Sequence, residues 1–490
     1  MSALHRLSAE SSGLSSERLP DSQHSPMNDK IRRHVWWFAF RTVARLNLAR
    51  AAAWLMVRAL GGAQTGSSGQ DAKKLLLLSK RGLFEDAASA FEGDQRFEPW
   101  YLDMVEIKPF KAMVSAFLPP EIDDFNYLSD DSEVEAGKRA YRDFAVQVLK
   151  HFLAQMPFDA VLTASFSYYA EREVAAAFEQ LGVPFIALHK ENLKTPGIFK
   201  FYEEVYRTRR GPFHGRRILV YNGIEKNLQV AAGVAPEGNI TVTGMPRLDR
   251  IHEWRQAQAG LRPDTSGQAT TAHQALFFAF GPKTGLPRMA RKLGFGMPEG
   301  LEQFGDERDQ FSWDELARSY HRAAVEVARQ MPDIRVIVKA KPVPFEVAAI
   351  RELLGDGDDL PENLTLISSG DPMELILKSN VVCGFRTTAL LEVIAAGKPL
   401  IVPHFAEAAT PQLSEFIFDV ESAAEYADSE EDIVRRVCHH LTNSEGTRVA
   451  LESSEMTVLE KWTGNVDGKS GARVANAVHA EILGAPVEHD

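Results

Sequence analysis

From Lys73 to Pro403 the chain alternates short apolar runs with longer blocks whose apolar residues recur at helical spacing. The runs KKLLLLSK, WYLDMVEI, FDAVLTAS, VPFIAL, RRILVYNG and NITVTG read as strands bounded by turn residues. Between them lie helix patterns around 138–155, along YYAEREVAAAFEQLG up to Gly182, through Tyr206, and over IEKNLQVAAGV. The same alternation restarts at ALFFAF and continues through the helix FSWDELARSYHRAAVEVARQ, the strands IRVIVKAK and LTLIS, and the unit SNVVCGFRTTALLEVIAAGKPLIVP. Strand, helix, strand in repetition is the signature of a parallel sheet wrapped by helices. Two such series stand on either side of polar, small-residue text from about Gln256 to Thr271. They predict an α/β protein with two Rossmann-like domains facing a cleft, 71–255 and 272–490. A Gly- and Pro-rich passage from Gly281 to Gly305 is expected to be a functional loop or an insert, and the last third is expected to be largely helical. At 490 residues the chain is longer than one ordinary core requires.

The first 70 residues do not share this pattern. MSALHRLSAESSGLSSERLPDSQHSP is Ser-rich with no apolar stretch of signal-peptide length, and is expected to be a disordered tail. Residues 30–60 then carry seven Lys or Arg and no Asp or Glu, together with Trp36, Trp37, Phe38, Phe40 and Trp54. Such a helix either lies on an anionic membrane surface or packs on the protein body. Drawn as one continuous helix, Arg41 and Arg45 share a side while Arg50 falls nearly opposite Arg41. The apolar run from Ala51 to Val57 is far short of the roughly 20 residues needed to span a bilayer. GGAQTGSSGQ reads as a flexible linker.

Composition narrows the partners. A net charge of -12 excludes nucleic acid as a default partner, and 44% hydrophobic with 25% charged residues is the balance of a soluble globular protein. Cys383 and Cys438 form neither a disulfide framework nor a zinc set. The expected location is cytoplasmic, with residues 30–60 offering contact at the inner membrane face.

The candidate chemistry centres on Ser379 to Pro403. In an open parallel sheet, ligands bind beyond the carboxyl ends of the strands, and the turn after Cys383 carries Gly384, Arg386, Thr387 and Thr388. Glu392 follows one helical turn after Thr388, placed to hold sugar hydroxyls while the turn holds phosphate. Lys339 and Lys341 sit at the end of another strand. The bland readings are that Thr388 caps its helix and Glu392 is a solvated carboxylate.

Four segments in order, VTGMPRLD (Val242 to Asp249), VIVKAKP, CGFRTTALLEVIAAGKPLIVP and KWTGNVDGKSGARV, together resemble glycosyltransferases of the two-domain GT-B superfamily. The branch resembled is that of bacterial surface and capsular polysaccharide enzymes, including the CDP-glycerol glycerophosphotransferases. The corresponding patterns are V-T-G-x-P-R-x-D, K-x-H-P, G-x-x-S/T-x-x-x-x-E-x-x-x-x-G-x-P and D-G-K-A/S-x-R-V. The resemblance implies a nucleotide-activated donor on the second domain, held by Lys339, Lys341, Gly384, Arg386, Thr387, Thr388 and Glu392, and a glycan or lipid-linked acceptor on the first. Lys341 stands where that branch has histidine, which favours sugar transfer over polyol phosphate transfer because a lysine does not relay protons near neutral pH.

Transfer requires stabilisation of a leaving phosphate and a general base for the acceptor hydroxyl. No Asp-x-Asp pair stands at a strand end, so no metal or other cofactor is expected. His189 and Glu191, just past a first-domain strand, are the candidate bases, while Asp249 is expected to cap or pin the domain junction and Gly244 and Pro246 to shape a turn. GNVDGKS has one residue too few between its glycines for a phosphate-binding P-loop, and Gly294, Gly296 and Gly300 miss the dinucleotide fingerprint. Alternatives are a UDP-N-acetylglucosamine 2-epimerase-like enzyme and a non-catalytic glycan-assembly protein of the same fold.

Overall fold

The computed structural model describes residues 26–61, 69, 71–79, 83–124, 126–258, 273–282, 284, 312–355, 359–443, 448 and 450–484. The expected tail, most of the linker, much of the interdomain text after 258 and most of the Gly- and Pro-rich passage lie outside these residues.

The chain builds two sheets. The first has seven strands in the order β1 (Leu60–Gly61), β3 (Phe97–Asp103), β2 (Lys73–Ser79), β4 (Ala160–Thr163), β5 (Phe185–Leu188), β6 (Arg217–Val220), β7 (Ile240–Val242). Every pair is parallel except β1 with β3. The second has six, all parallel, in the order β10 (Leu364–Ile367), β9 (Arg335–Lys339), β8 (Gln274–Phe278), β11 (Val381–Cys383), β12 (Leu400–Pro403), β13 (Glu425–Ala427). Counting β8 as first, this is the doubly wound order 3-2-1-4-5-6, and its direction reverses between β8 and β11. All residues of β8, β11 and β12 are buried, because helices cover both faces.

Local chemistry moves several boundaries from their expected places. The strand read as WYLDMVEI ends at Asp103, whose Oδ1 accepts from the backbone of Val105 and Glu106 at 2.8 Å each and turns the chain. The long helix begins at Ser132, earlier than its apolar pattern, because the Asp131 side chain caps it by accepting from the Glu133 and Val134 amides. The short strands β1 and β13 have no run long enough to stand out in the sequence.

Two corrections concern the ends of the chain. The basic aromatic segment is two helices, Pro26–Arg45 and Ala49–Ala59, broken where Asn47 adopts a φ of 54°. Phe40, Ala44, Ala52, Ala53 and Met56 are buried in one core with Tyr141 and Leu149 of the first domain. At the other end, helix Ser470–Leu483 falls within 272–490 by sequence but packs on the first sheet. Val474, Ala475, Ala477 and Val478 join Leu75, Leu77 and Leu162 there, and Arg217 pairs with Glu481. Its apolar stripe needs a sheet face, and the first domain supplies it.

Candidate functional site at the domain cleft

The turn after β11 is seated by aromatic packing. Phe385 is buried, with its ring centroid 4.9 Å from Phe280 and 5.1 Å from Trp313. The next residue, Arg386, sits in the left-handed region at φ 47° with its guanidinium 6.0 Å from the Trp313 ring. Burial lowers the Arg386 pKa to about 10. A Cβ at Gly384 would come 2.7 Å from Leu390 Cδ2, so that glycine serves packing. Thr387 Oγ1 accepts from the Ala389 amide at 3.3 Å, whereas Thr388 is exposed and its side chain makes no capping bond. The following helix, Ala389–Ala395, is only seven residues long.

The two lysines separate. Lys339 is buried at the end of β9 and donates to the carbonyls of Ala340 at 2.9 Å and Ser368 at 3.1 Å; burial lowers its pKa. Lys341, two residues on, is exposed. Strands β9 and β11 flank β8, so Lys341 and Arg386 leave the sheet roughly 10 Å apart at the backbone.

Glu392 does not point along the turn. Its Oε1 lies 3.5 Å from Nε of Arg247, a residue of VTGMPRLD in the opposite half of the molecule. Arg247 also reaches Asp86 Oδ1 at 3.6 Å and donates to the Tyr221 hydroxyl at 3.2 Å, and Tyr221 in turn donates to Asp86. Burial pushes the Glu392 pKa up to about 7 against the pull of Arg247, and it likewise raises that of Asp86. Arg247 thus bridges carboxylates of both halves. Sequence reading assigned Arg247 no role and did not single out Asp86; the Arg inside the motif was the available signal.

In the first domain, His189 follows β5 as expected but is fully buried. Its Nε2 lies 3.2 Å from Glu225 Oε1, and Glu225 also accepts from Tyr206 at 2.9 Å and Gln229 at 2.8 Å, with Lys194 Nζ 3.5 Å away. Burial alone would raise the Glu225 pKa, but the Lys194 ammonium and the adjacent His189 ring hold it down at about 2. Glu191 is exposed on the same loop, and its backbone carbonyl accepts from Lys194. The loop meets the second domain where the Gly197 amide donates to Glu415 O at 3.0 Å.

The first and fourth motifs interlock. Asp249 accepts from Asn465 Nδ2 at 2.7 Å and from the amides of Ser470 and Gly471 at 3.1 and 2.7 Å, capping the last helix. Gly244, at φ 82°, passes so close to this segment that a Cβ would meet Ser470 Oγ at 2.1 Å. Asn222 Nδ2 donates to Trp462 O at 2.7 Å and Arg255 to Ala395 O at 2.7 Å across the same junction.

No protein-family model matches the chain, and no curated protein matches it. Solved structures similar to it include a protein of Listeria monocytogenes described as a candidate UDP-N-acetylglucosamine 2-epimerase, with a TM-score of 0.48 at 13% identity over 86% of this chain and 99% of that one. The UDP-GlcNAc 2-epimerase of Neisseria meningitidis, bound to UDP-GlcNAc, gives 0.43 at 13% identity over 83% and 99%. The calicheamicin glycosyltransferase CalG4 gives 0.39 at 14% identity over 84% and 98%. The two-domain architecture of the present chain stands on its own strand order and register.

Proposed function

We propose that the chain is a GT-B-type glycosyltransferase that moves a sugar from a nucleotide-activated donor to a bacterial surface glycan or lipid-linked acceptor. The observation that carries this reading is the placement of the Gly384–Thr388 turn where the strand order of the second sheet reverses, with a partly desolvated Arg386 held there in a left-handed backbone. A guanidinium at such a crevice matches a diphosphate by bidentate hydrogen bonding, and Lys341 adds a point charge from the neighbouring strand end. Both charges would stabilise the leaving nucleotide as the glycosidic bond to it breaks.

On this reading Glu392 holds the ribose only after leaving Arg247, and Lys339 shapes the strand end instead of touching phosphate. Glu191 is better placed than His189 to act as base in an open cleft, since His189 is sealed against Glu225. Polyol phosphate transfer is the finer alternative, and the exposed Lys341 in the histidine position argues against it.

The test is a calorimetric screen of nucleotide sugars and CDP-polyols against the full chain. The expected outcome is binding of at least one nucleotide sugar, with Arg386→Ala weakening it by ~10- to 100-fold. Absence of binding by every donor would refute the reading. Conversion of a nucleotide sugar without any acceptor would replace it with an epimerase.

A further inference from the structure

The break at Asn47 changes what residues 30–60 present to solvent. Each helix buries one face in the first domain, and the phase of the second is reset by the turn, so the single-helix wheel that scattered the arginines does not apply. On the outer face of helix Pro26–Arg45, Ile31, Val35 and Phe38 are 57, 62 and 59% exposed, at the spacing of one helical stripe. His34 stands on the same face. Leu46 and Leu48, 62 and 48% exposed, extend the apolar surface through the turn, and Trp54 is 49% exposed on the second helix. Around these side chains stand the exposed Arg45, Arg50 and Arg58, with Arg50, Trp54 and Arg58 at successive turns of the second helix. Apart from Asp29 in the first turn, the two helices contain no acidic residue, although the chain as a whole carries a net charge of -12.

Exposed aliphatic and aromatic side chains at helical spacing, rimmed by arginine on an otherwise acidic protein, have the chemistry of an interfacial helix. We propose that the outer faces of helices Pro26–Arg45 and Ala49–Ala59 dock the protein onto an anionic phospholipid surface. The apolar side chains insert at the headgroup boundary while the guanidiniums pair with lipid phosphates, their stems reaching outward. Charge complementarity favours lipid over a second copy of the same basic face, which would repel itself. No described helix is long and apolar enough to cross a membrane, so the contact is peripheral with respect to these residues. The docking does not depend on which donor the cleft takes.

Sedimentation of the full chain with vesicles tests the proposal. Binding is expected to vesicles of phosphatidylcholine mixed with phosphatidylglycerol, weakening as NaCl rises, and not to phosphatidylcholine alone. The double substitutions Val35→Ser with Phe38→Ser, and Arg45→Gln with Arg50→Gln, each should lower the bound fraction by ~fivefold or more while leaving the thermal midpoint and circular dichroism unchanged. No association with the anionic vesicles, or variants that bind as wild type does, would overturn it. So would a stable dimer, measured by light scattering, that the Val35/Phe38 pair dissociates without altering vesicle binding.

Discussion

His189 and Arg386 occupy the same kind of position, one residue past β5 and three past β11, each beyond the carboxyl end of a parallel strand. Topology alone makes them equivalent candidates for chemistry. Their surroundings make them opposites. His189 is fully enclosed, its imidazole beside a Glu225 carboxylate that Tyr206, Gln229 and Lys194 also engage. Arg386 lies on a turn with the exposed Thr388 beside it. The first is an ionic cluster buried on every side, and the second is a partly buried guanidinium on a turn whose neighbour Thr388 reaches solvent.

The largest expected effect comes from breaking the enclosed cluster. Glu225→Ala removes the anion that His189 and Lys194 face, leaving a buried ammonium without its counter-charge. A loss of ~3–5 kcal/mol is expected, measured as a shift of the urea midpoint followed by tryptophan fluorescence. A variant as stable as wild type would mean that the cluster is not structural and would return His189 to the list of open catalytic groups.

Next in size is the junction. Asp249→Ala strips three hydrogen bonds from Asn465, Ser470 and Gly471, all in buried surroundings. The expected cost is ~2–4 kcal/mol, with the last helix showing faster amide exchange than the first sheet beneath it. Exchange unchanged along 470–483 would show that apolar packing alone fixes that helix.

These two regions mark what could be read in advance. The alternating strand and helix plan, the two series and the turn after Cys383 were legible because each rests on short-range periodicity and on Gly and Pro punctuation. Asp249 was legible as a residue of the domain junction, though its partners Asn465, Ser470 and Gly471, 216 to 222 positions away, gave no local sign. Pairings across hundreds of residues were not. Nothing near Glu392 in the chain announces Arg247, and nothing near His189 announces Glu225; both partners arrive by the crossing of whole domains or helices. The same limit explains the last helix, whose apolar stripe is visible while the sheet that receives it is not.

Glu392 sharpens the comparison from the second domain. Its folded pKa of about 7 lies above the unfolded value of 4.5, so between those values the folded state binds more protons than the unfolded one. The contribution of this group is therefore fully present below about pH 4.5 and is lost as pH rises through about 7. Glu392→Gln should remove that slope, making the variant ~1–2 kcal/mol more stable than wild type at pH 8 and comparable to it in acid. Arg247 reduces the gain, since the substitution also removes its partner. A wild-type and variant pair with parallel stability profiles from pH 5 to 8 would show that Glu392 is ionised throughout and firmly held by Arg247.

The smallest effects separate two adjacent threonines. Thr387 gives the Ala389 amide its acceptor, so Thr387→Ala exposes a buried donor and should cost ~0.5–1 kcal/mol. Thr388 contributes no such bond and is solvent-exposed, so Thr388→Ala should change stability by less than ~0.5 kcal/mol. Donor affinity should rank them the other way. If the turn holds a nucleotide diphosphate, the exposed Thr388 hydroxyl is available to it and the engaged Thr387 oxygen is less so. Calorimetric titration of both variants with the donor found for wild type gives the answer: a larger loss for Thr388→Ala supports an open ligand edge, and equal affinities would assign both threonines to the architecture of the turn.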